Sequence, residues 1–143
     1  MRVTGRFDGS CWPNPGGQAK YGFVIYKGGH RIHDGAGVVG VGAGMTNNVA
    51  EAAGLCALLE YLITTYPANT QMLIQGDSQI VINVANGRQQ KPHGFFAPMA
   101  IKARELFNRL QHQHGKDNVQ LEWIPRDMNA AADAMCDRAL ELT

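Results

Sequence analysis

The chain has few cysteines and no long apolar segment. These two features limit the classes of protein to which it can belong. Three cysteines occur among 143 residues, Cys11, Cys56 and Cys136, and none belongs to a Cys-x-x-Cys pair. This number and spacing argue against a disulfide framework and against a zinc site. No apolar run approaches the ~20 residues that span a membrane, and no basic segment followed by an apolar one opens the chain. We therefore expect a cytoplasmic protein with no membrane partner.

Glycine-rich phosphate loops are also missing. Neither GxGxxG nor GxxxxGK[ST] follows a predicted strand, which disfavours a generic nucleotide-binding domain. The net charge of +1, from 13 basic and 12 acidic residues, does not identify a nucleic-acid ligand. Segment 86–104 carries Arg88, Lys91, Lys102 and Arg104 without any acid. This local basic patch is compatible with phosphate contacts, and equally with an ordinary solvated loop.

Apolar periodicity predicts a single α/β domain over residues 1–143, with 45% hydrophobic residues. The predicted order is βββαβαα(β)α. Strands are expected at 1–8, 21–27, 30–41, 72–75 and 119–124, and helices at about 47–63, 78–85, 98–112 and 129–142. Tight turns make the first three strands antiparallel, whereas a strand-helix-strand crossover requires parallel pairing. We therefore expect a five-stranded mixed sheet, antiparallel in strands 1–3 and parallel in strands 4–5, with flanking helices.

Four acids occur where the predicted secondary structure changes: Asp8, Glu51, Asp77 and Asp133. Acids at strand ends and in first helical turns can meet at one pole of an α/β sheet. Their carboxylates would repel one another unless cations lay between them. Oxygen-rich clusters suit Mg²⁺ or Mn²⁺, and paired divalent ions suit in-line phosphoryl chemistry. A capping or ion-pair role explains any single acid, Asp133 especially, but is less suited to all four together.

Five short motifs occur in one order along the chain. They are Phe7-Asp8-Gly9-Ser10-Cys11, Asn14-Pro15-Gly16, Thr46-Asn47-Asn48-x-x-Glu51, Gly76-Asp77-Ser78-Gln79 and Trp123-(x)5-Asn129-(x)3-Asp133. Together they resemble the type 1 ribonuclease H family over nearly the whole chain. The resemblance implies a ribonuclease H-like fold and a monomer that hydrolyses the RNA strand of RNA–DNA hybrids. The implied mechanism uses two metal ions and leaves 5′-phosphate and 3′-hydroxyl ends.

The resemblance also implies roles for the four acids. Asp8 would bridge two Mg²⁺ ions, for which Mn²⁺ is a possible substitute. Asp133 would help to hold the ion on the nucleophile side, and Glu51 and Asp77 the ion on the leaving-group side. Asp77→Asn is expected to remove activity and to leave the fold intact.

Substrate recognition is expected from neutral polar groups. By resemblance, the amides of Asn14, Asn47, Asn48 and Gln79 would read the RNA 2′-hydroxyl, which both donates and accepts hydrogen bonds. Thr46 would contact a phosphate of the DNA strand. Local turn and cap hydrogen bonds are the alternative role for these residues, and the two roles can coexist.

Two segments depart from the family pattern. The loop before the last helix is short and has no histidine, so Arg126 is the nearest substitute; it cannot shuttle protons but could attract phosphate. Between Asn86 and Pro98 there is no extra helix with a strongly basic loop, so hybrid binding should be weaker and salt-sensitive. Phe95 and Phe96 are expected in the core, and the histidines on the surface.

Two other functions remain open at this point. One keeps the fold and the metals but acts on DNA, as a resolvase or transposase domain does; the amide motifs argue against it. The other is a catalytically inactive nucleic-acid-binding module, against which the complete set of acids counts.

Overall fold

The computed structural model describes residues 2–88 and 92–142. Its strands are β1 (Arg2–Trp12), β2 (Gln18–Lys27), β3 (His30–Val41), β4 (Gln71–Gly76) and β5 (Val119–Trp123). Its helices are α1 (Asn47–Thr65), α2 (Gln79–Ala85), α3 (Phe96–His114) and α4 (Ala130–Leu142). Two 3₁₀ turns, Lys116–Asn118 and Arg126–Met128, precede β5 and α4. Within these residues, no helix has the length and apolar character to cross a membrane.

The five strands form one mixed sheet in the order β3-β2-β1-β4-β5. β2 pairs antiparallel with β1 and with β3, whereas β4 pairs parallel with β1 and with β5. The β2–β3 hairpin closes through Gly28 and Gly29, whose positive φ angles of 59° and 79° a two-residue turn requires. The predicted fold class is confirmed.

Helices pack against both faces of the sheet. On one face, Leu55, Leu58 and Leu62 of α1 are fully buried in a core that includes Phe7 and Ile25. Burial of each such side chain contributes about 1.5–3 kcal/mol. Neighbouring residues of a strand point to opposite faces, and Val24 packs with Ala132 and Met135 of α4. Helix α4 therefore lies on the face opposite α1.

Strand β1 is longer than predicted. The sequence suggested that it ends at Asp8, but residues 9–12 continue to pair with residues 18–21 of β2. The parallel pairing with β4 does end nearby, at Phe7 and Gly76. Asp8 therefore lies within a strand, at the point where its neighbour on one side stops.

Several side-chain predictions can be compared directly with the structure. Cys56 lies in an apolar helical stretch, which predicts a small core residue, and it is buried in the core. Phe96 is buried, but Phe95 is 74% exposed beside Gly44, so the core assignment is wrong for Phe95. Helical periodicity over residues 98–112 predicts that Ile101 points inward with Leu106 and Leu110, but Ile101 is exposed.

His114 was expected on the surface and is fully buried instead. Its Nδ1 accepts a hydrogen bond of 3.1 Å from the backbone N–H of Thr70. Burial lowers the pKa of this imidazole, because a charged ring would lose its hydration.

The predicted basic patch is only partly described. Lys102 forms an ion pair of 3.0 Å with Glu60, and the guanidinium of Arg104 lies against Gly87. Lys91 lies outside the described residues. A phosphate-binding role for this segment stays a prediction.

Candidate functional site

Three carboxylates meet at the centre of the sheet. Asp8 comes from β1, Glu51 from the second turn of α1, and Asp77 from the residue after β4. One carboxylate oxygen of each lies within 4.8 Å of the others. Within the described residues, this group is the one whose geometry could hold a metal ion.

Two glycines allow β1 and α1 to approach closely enough to form this cluster. A Cβ atom on Gly9 would overlap the backbone of Ala50 and Glu51. A Cβ atom on Gly54 would lie 2.6 Å from the carbonyl oxygen of Asp8. The sequence therefore brings the Glu51 side chain next to Asp8 by omitting side chains at the contact between strand and helix.

Burial and mutual repulsion strongly perturb the acids. Asp8 is 4% exposed and Glu51 is 8% exposed. Loss of hydration, followed by the negative charge of Asp8, raises the pKa of Glu51 far above its ordinary range. Burial also raises the pKa of Asp8, although the N–H of Gly9 donates to its Oδ1 at 2.9 Å and opposes the shift. Without cations, the site therefore binds protons in their place.

Asp133 joins the cluster from the face of the sheet that lies opposite α1. It lies in the first turn of α4, half-buried, and is close enough to Asp8 to raise the pKa of that carboxyl. It is not one of the three acids within 4.8 Å of one another. The structure thus brings all four predicted acids to one region, with Asp133 at its margin.

Two residues whose roles sequence reasoning missed hold Asp77 in place. The buried amide of Asn129 donates from Nδ2 to Asp77 Oδ2 at 3.0 Å and to the carbonyl oxygen of Phe7 at 2.9 Å. The indole Nε1 of Trp123 donates to the carbonyl oxygen of Asp77 at 3.0 Å. Trp123 and Asn129 both belong to a motif that carries the family resemblance. This motif was the sequence signal from which their roles could have been inferred.

Arg6 supports the same region from within β1. Its Nε donates to Gln75 Oε1 at 2.9 Å, and its Nη1 donates to the carbonyl oxygen of Met128 at 3.1 Å. Met128 immediately precedes Asn129, so Arg6 ties the turn that leads into α4 to the central strand. No sequence signal identifies this role, because the partners are 69 and 122 positions away.

The predicted amide residues form a second group beside the acids. Asn14, Thr46, Asn47 and Asn48 line an open pocket of about 380 Å³ together with Pro15. Asn47 Oδ1 accepts from the N–H of Cys11 at 2.8 Å, and Asn14 Oδ1 accepts from the N–H of Asn47 at 3.1 Å. Both bonds use side-chain oxygens. In the described part of the chain, neither side-chain NH₂ group has a protein partner.

Thr46, Gln79 and Arg126 have different settings. Thr46 Oγ1 accepts from the N–H of Val49 at 3.2 Å and caps α1, as predicted. Gln79 is exposed at the first position of α2, outside the amide pocket. Arg126 is exposed in the 3₁₀ turn between Trp123 and Asn129, which both hydrogen-bond to Asp77.

A mixed five-stranded sheet with a carboxylate cluster at its centre is an arrangement that suits metal-dependent hydrolysis. The family model for ribonuclease H matches residues 2–141. The chain therefore belongs to the ribonuclease H family, and the resemblance stated from the sequence motifs is confirmed.

Relatives by sequence and by structure agree with this assignment. Ribonuclease HI of Halobacterium salinarum is 31% identical over 98% of the chain, which spans 65% of that protein's length. Ribonuclease H of Shewanella denitrificans is 28% identical over 92% of the chain, which spans 79% of that protein. The crystal structure of the Halobacterium ribonuclease H1 superposes with a TM-score of 0.81 at 29% identity, with both chains fully covered.

A more distant structure shows the same fold. The LC11 ribonuclease H1, solved in complex with an RNA/DNA hybrid, has a TM-score of 0.78 at 22% identity and covers 98% of this chain and 97% of its own. At this identity, the likeness is one of fold.

Proposed function

We propose that this protein is an endoribonuclease that hydrolyses the RNA strand of RNA–DNA hybrids and leaves 5′-phosphate and 3′-hydroxyl ends. The observation that carries the proposal is the buried carboxylate cluster beside a pocket of tethered asparagines. Family membership and the Halobacterium and Shewanella relatives, both named ribonucleases, support it. We further propose that residues 1–143 act as a single domain and a monomer in the cytoplasm.

The carboxylate cluster is better suited to binding divalent cations than to remaining without them. All donors are carboxylate oxygens, the ligand type that Mg²⁺ and Mn²⁺ prefer. Glu51 Oε2 is buried without a hydrogen-bond partner in the protein. We propose that Asp8, Glu51, Asp77 and Asp133 hold two Mg²⁺ ions, with Mn²⁺ as a substitute. When bound, the ions would supply a water of lowered pKa and stabilise charge on the leaving 3′-oxygen.

The chain's own residues would select and orient the substrate. The NH₂ groups of Asn14 and Asn47 are available to donate to a 2′-hydroxyl because their oxygens are engaged within the protein. Asn48 and Gln79 would add further contacts to the RNA strand. Thr46 would contact a phosphate of the DNA strand, and Arg126 would attract phosphate close to Asp77. The hybrid bound by the LC11 enzyme supports this choice of ligand.

A cleavage assay with matched substrates tests the proposal. The protein is incubated in Mg²⁺ or Mn²⁺ with an end-labelled RNA–DNA hybrid, double-stranded DNA or single-stranded RNA. Cleavage of the hybrid's RNA strand alone is expected. Asp77→Asn should abolish it with unchanged circular dichroism, while Asp127→Asn, an exposed acid in the nearby turn, should retain it. Near-normal turnover by Asp77→Asn in Mg²⁺ would refute the assignment of this acid.

A further inference from the structure

Trp12 is a large aromatic side chain that the protein leaves open to solvent. It is 82% exposed, more than any other exposed large hydrophobic residue among those described. Tryptophan is usually well buried, because removing its large apolar surface from water is favourable. Neither the core nor the carboxylate cluster accounts for this residue.

The strand geometry directs Trp12 toward the side of the sheet that bears Asp8. Residues 8–12 of β1 pair with β2 in uninterrupted register, so alternate side chains share a face. Asp8, Ser10 and Trp12 therefore project from one face, while Cys11 packs on the other side with Ala50 of α1. Four strand residues span about 13 Å. Successive nucleotides of one strand are ~3.4 Å apart along the helix axis, so Trp12 lies within about four base-pair steps of Asp8.

The turn after Trp12 is anchored to the rest of the site. The N–H of Gly17 donates to the carbonyl oxygen of Pro13 at 2.8 Å. The N–H of Gly16 donates to the carbonyl oxygen of Met45 at 2.8 Å, just before α1. Trp12 lies in the chain between Asp8 of the carboxylate cluster and Asn14 of the asparagine pocket. These bonds fix the backbone that follows it, so a ligand would have to order mainly the side chain.

We propose that Trp12 is a substrate-contacting residue that selects for the hybrid, with its indole packed in the minor groove against riboses of the RNA strand. This inference rests on the proposed function. In a paired duplex, base faces are stacked and unavailable, so the surface offered to an indole is sugar. A wide, shallow A-form minor groove admits the flat ring and presents 2′-hydroxyls to its N–H donor. The minor groove of B-form DNA is narrower, about 6 Å wide, and has no 2′-hydroxyl to accept from the indole N–H.

Tryptophan fluorescence tests the contact directly. The chain has two tryptophans, so Trp123→Phe leaves Trp12 as the only reporter, and Asp77→Asn prevents cleavage in Mg²⁺. The double variant is titrated with an RNA–DNA hybrid and with DNA duplex of the same sequence, while anisotropy of a labelled strand records binding independently. Trp12 emission should change in parallel with hybrid binding. Saturated hybrid binding without an emission change would overturn the proposal.

Affinity measurements test the selectivity. Trp12→Ala should raise the Kd for the hybrid by about five- to tenfold, as expected for the loss of a partly buried apolar contact with sugar. Trp12→Phe should recover most of the loss, and the Kd for DNA duplex should not change. The slope of log Kd against log salt should also stay constant, because no phosphate contact is removed. Ile32→Ala, an exposed apolar truncation at the far end of the β2–β3 hairpin, is the matched control.

The outcomes separate this inference from the proposed function. If the wild type cleaves hybrids and Trp12→Ala binds them as Ile32→Ala does, the role of Trp12 is wrong and the ribonuclease proposal stands. An equal loss of affinity for hybrid and DNA duplex would also refute the ribose contact. If the wild type neither binds nor cleaves hybrids, both proposals fail.

Discussion

Replacing Glu51 with glutamine should stabilise the metal-free protein. In the folded chain, burial and the nearby charge of Asp8 hold the pKa of Glu51 far above its ordinary value of 4.5. At pH 7, folding therefore requires this side chain to take up a proton that the unfolded chain has released. Glutamine has nearly the same shape and needs no proton.

The size of the effect follows from the pKa difference. Between pH 4.5 and pH 7, the uptake of one proton costs about 3.4 kcal/mol, at about 1.36 kcal/mol for each pH unit. This is an upper limit, because the coupled acids share protons and the site can relax. We expect Glu51→Gln to raise the free energy of unfolding by about 1–3 kcal/mol, or the Tm by about 3–9 °C.

The pH dependence has a definite sign. A raised pKa in the folded state stabilises the protein below pH 4.5, and this contribution is lost as the pH rises toward the folded-state value. The difference between Glu51→Gln and the wild type should therefore be small at pH 4.5 and grow toward pH 7.5. Urea unfolding in EDTA at several pH values measures it.

A second acid of the same helix provides the control. Glu60 is exposed and paired with Lys102, so Glu60→Gln should lower stability by less than about 1 kcal/mol at pH 7. Mg²⁺ should raise the Tm of the wild type, since ligands of the folded state stabilise it, and raise that of Glu51→Gln less. A Glu51→Gln protein less stable than the wild type at pH 7.5 in EDTA, or a pH-independent difference, would refute the reasoning.

Three further predictions concern two residues next to the acids, Asn129 and Arg126, and the buried His114. Asn129→Ala releases the carboxylate of Asp77 and should lower kcat by about 10- to 100-fold, with a higher Mg²⁺ concentration at half-maximal rate; an unchanged Mg²⁺ titration would contradict it. Arg126→Ala should weaken hybrid binding and reduce the salt slope by about 1, and unchanged affinity and turnover would leave Arg126 a structural role only. Because burial lowers the pKa of His114, the wild type should lose up to about 1.4 kcal/mol of stability per pH unit as the pH falls below 6.5, and His114→Gln should lack this part of the slope.

The topology was predictable because apolar periodicity reports it directly. The alternating run before Asp8, the i, i+3, i+4 pattern of α1 and the hairpin signal at Gly28-Gly29 each depend on local chemistry. The approach of Asp8, Glu51 and Asp77 was predicted from changes in the expected secondary structure and from the family resemblance, although Asp8 lies within β1 and not at its end.

The structural features that the sequence could not reveal depend on partners that are distant in the chain. The predicted first strand ends before Gly9-Ser10-Cys11, yet this segment is strand, because β2 supplies hydrogen-bonding partners along its whole length. His114 looks like a surface residue at a helix end, but an N–H at Thr70, 44 positions away, stabilises its buried ring. Arg6 was missed for the same reason.

The hydrogen bond from Asn129 to the carbonyl oxygen of Phe7 joins residues 122 positions apart, and it has a consequence for biosynthesis. The first acid of the site is translated long before the amide that fixes Asp77 and the acid at Asp133. The carboxylate cluster can therefore be completed only after α4 has left the ribosome and docked on the sheet. We expect a fragment that stops before residue 129, and so lacks Asn129 and Asp133, to lose most of the metal-dependent cleavage proposed for the folded chain.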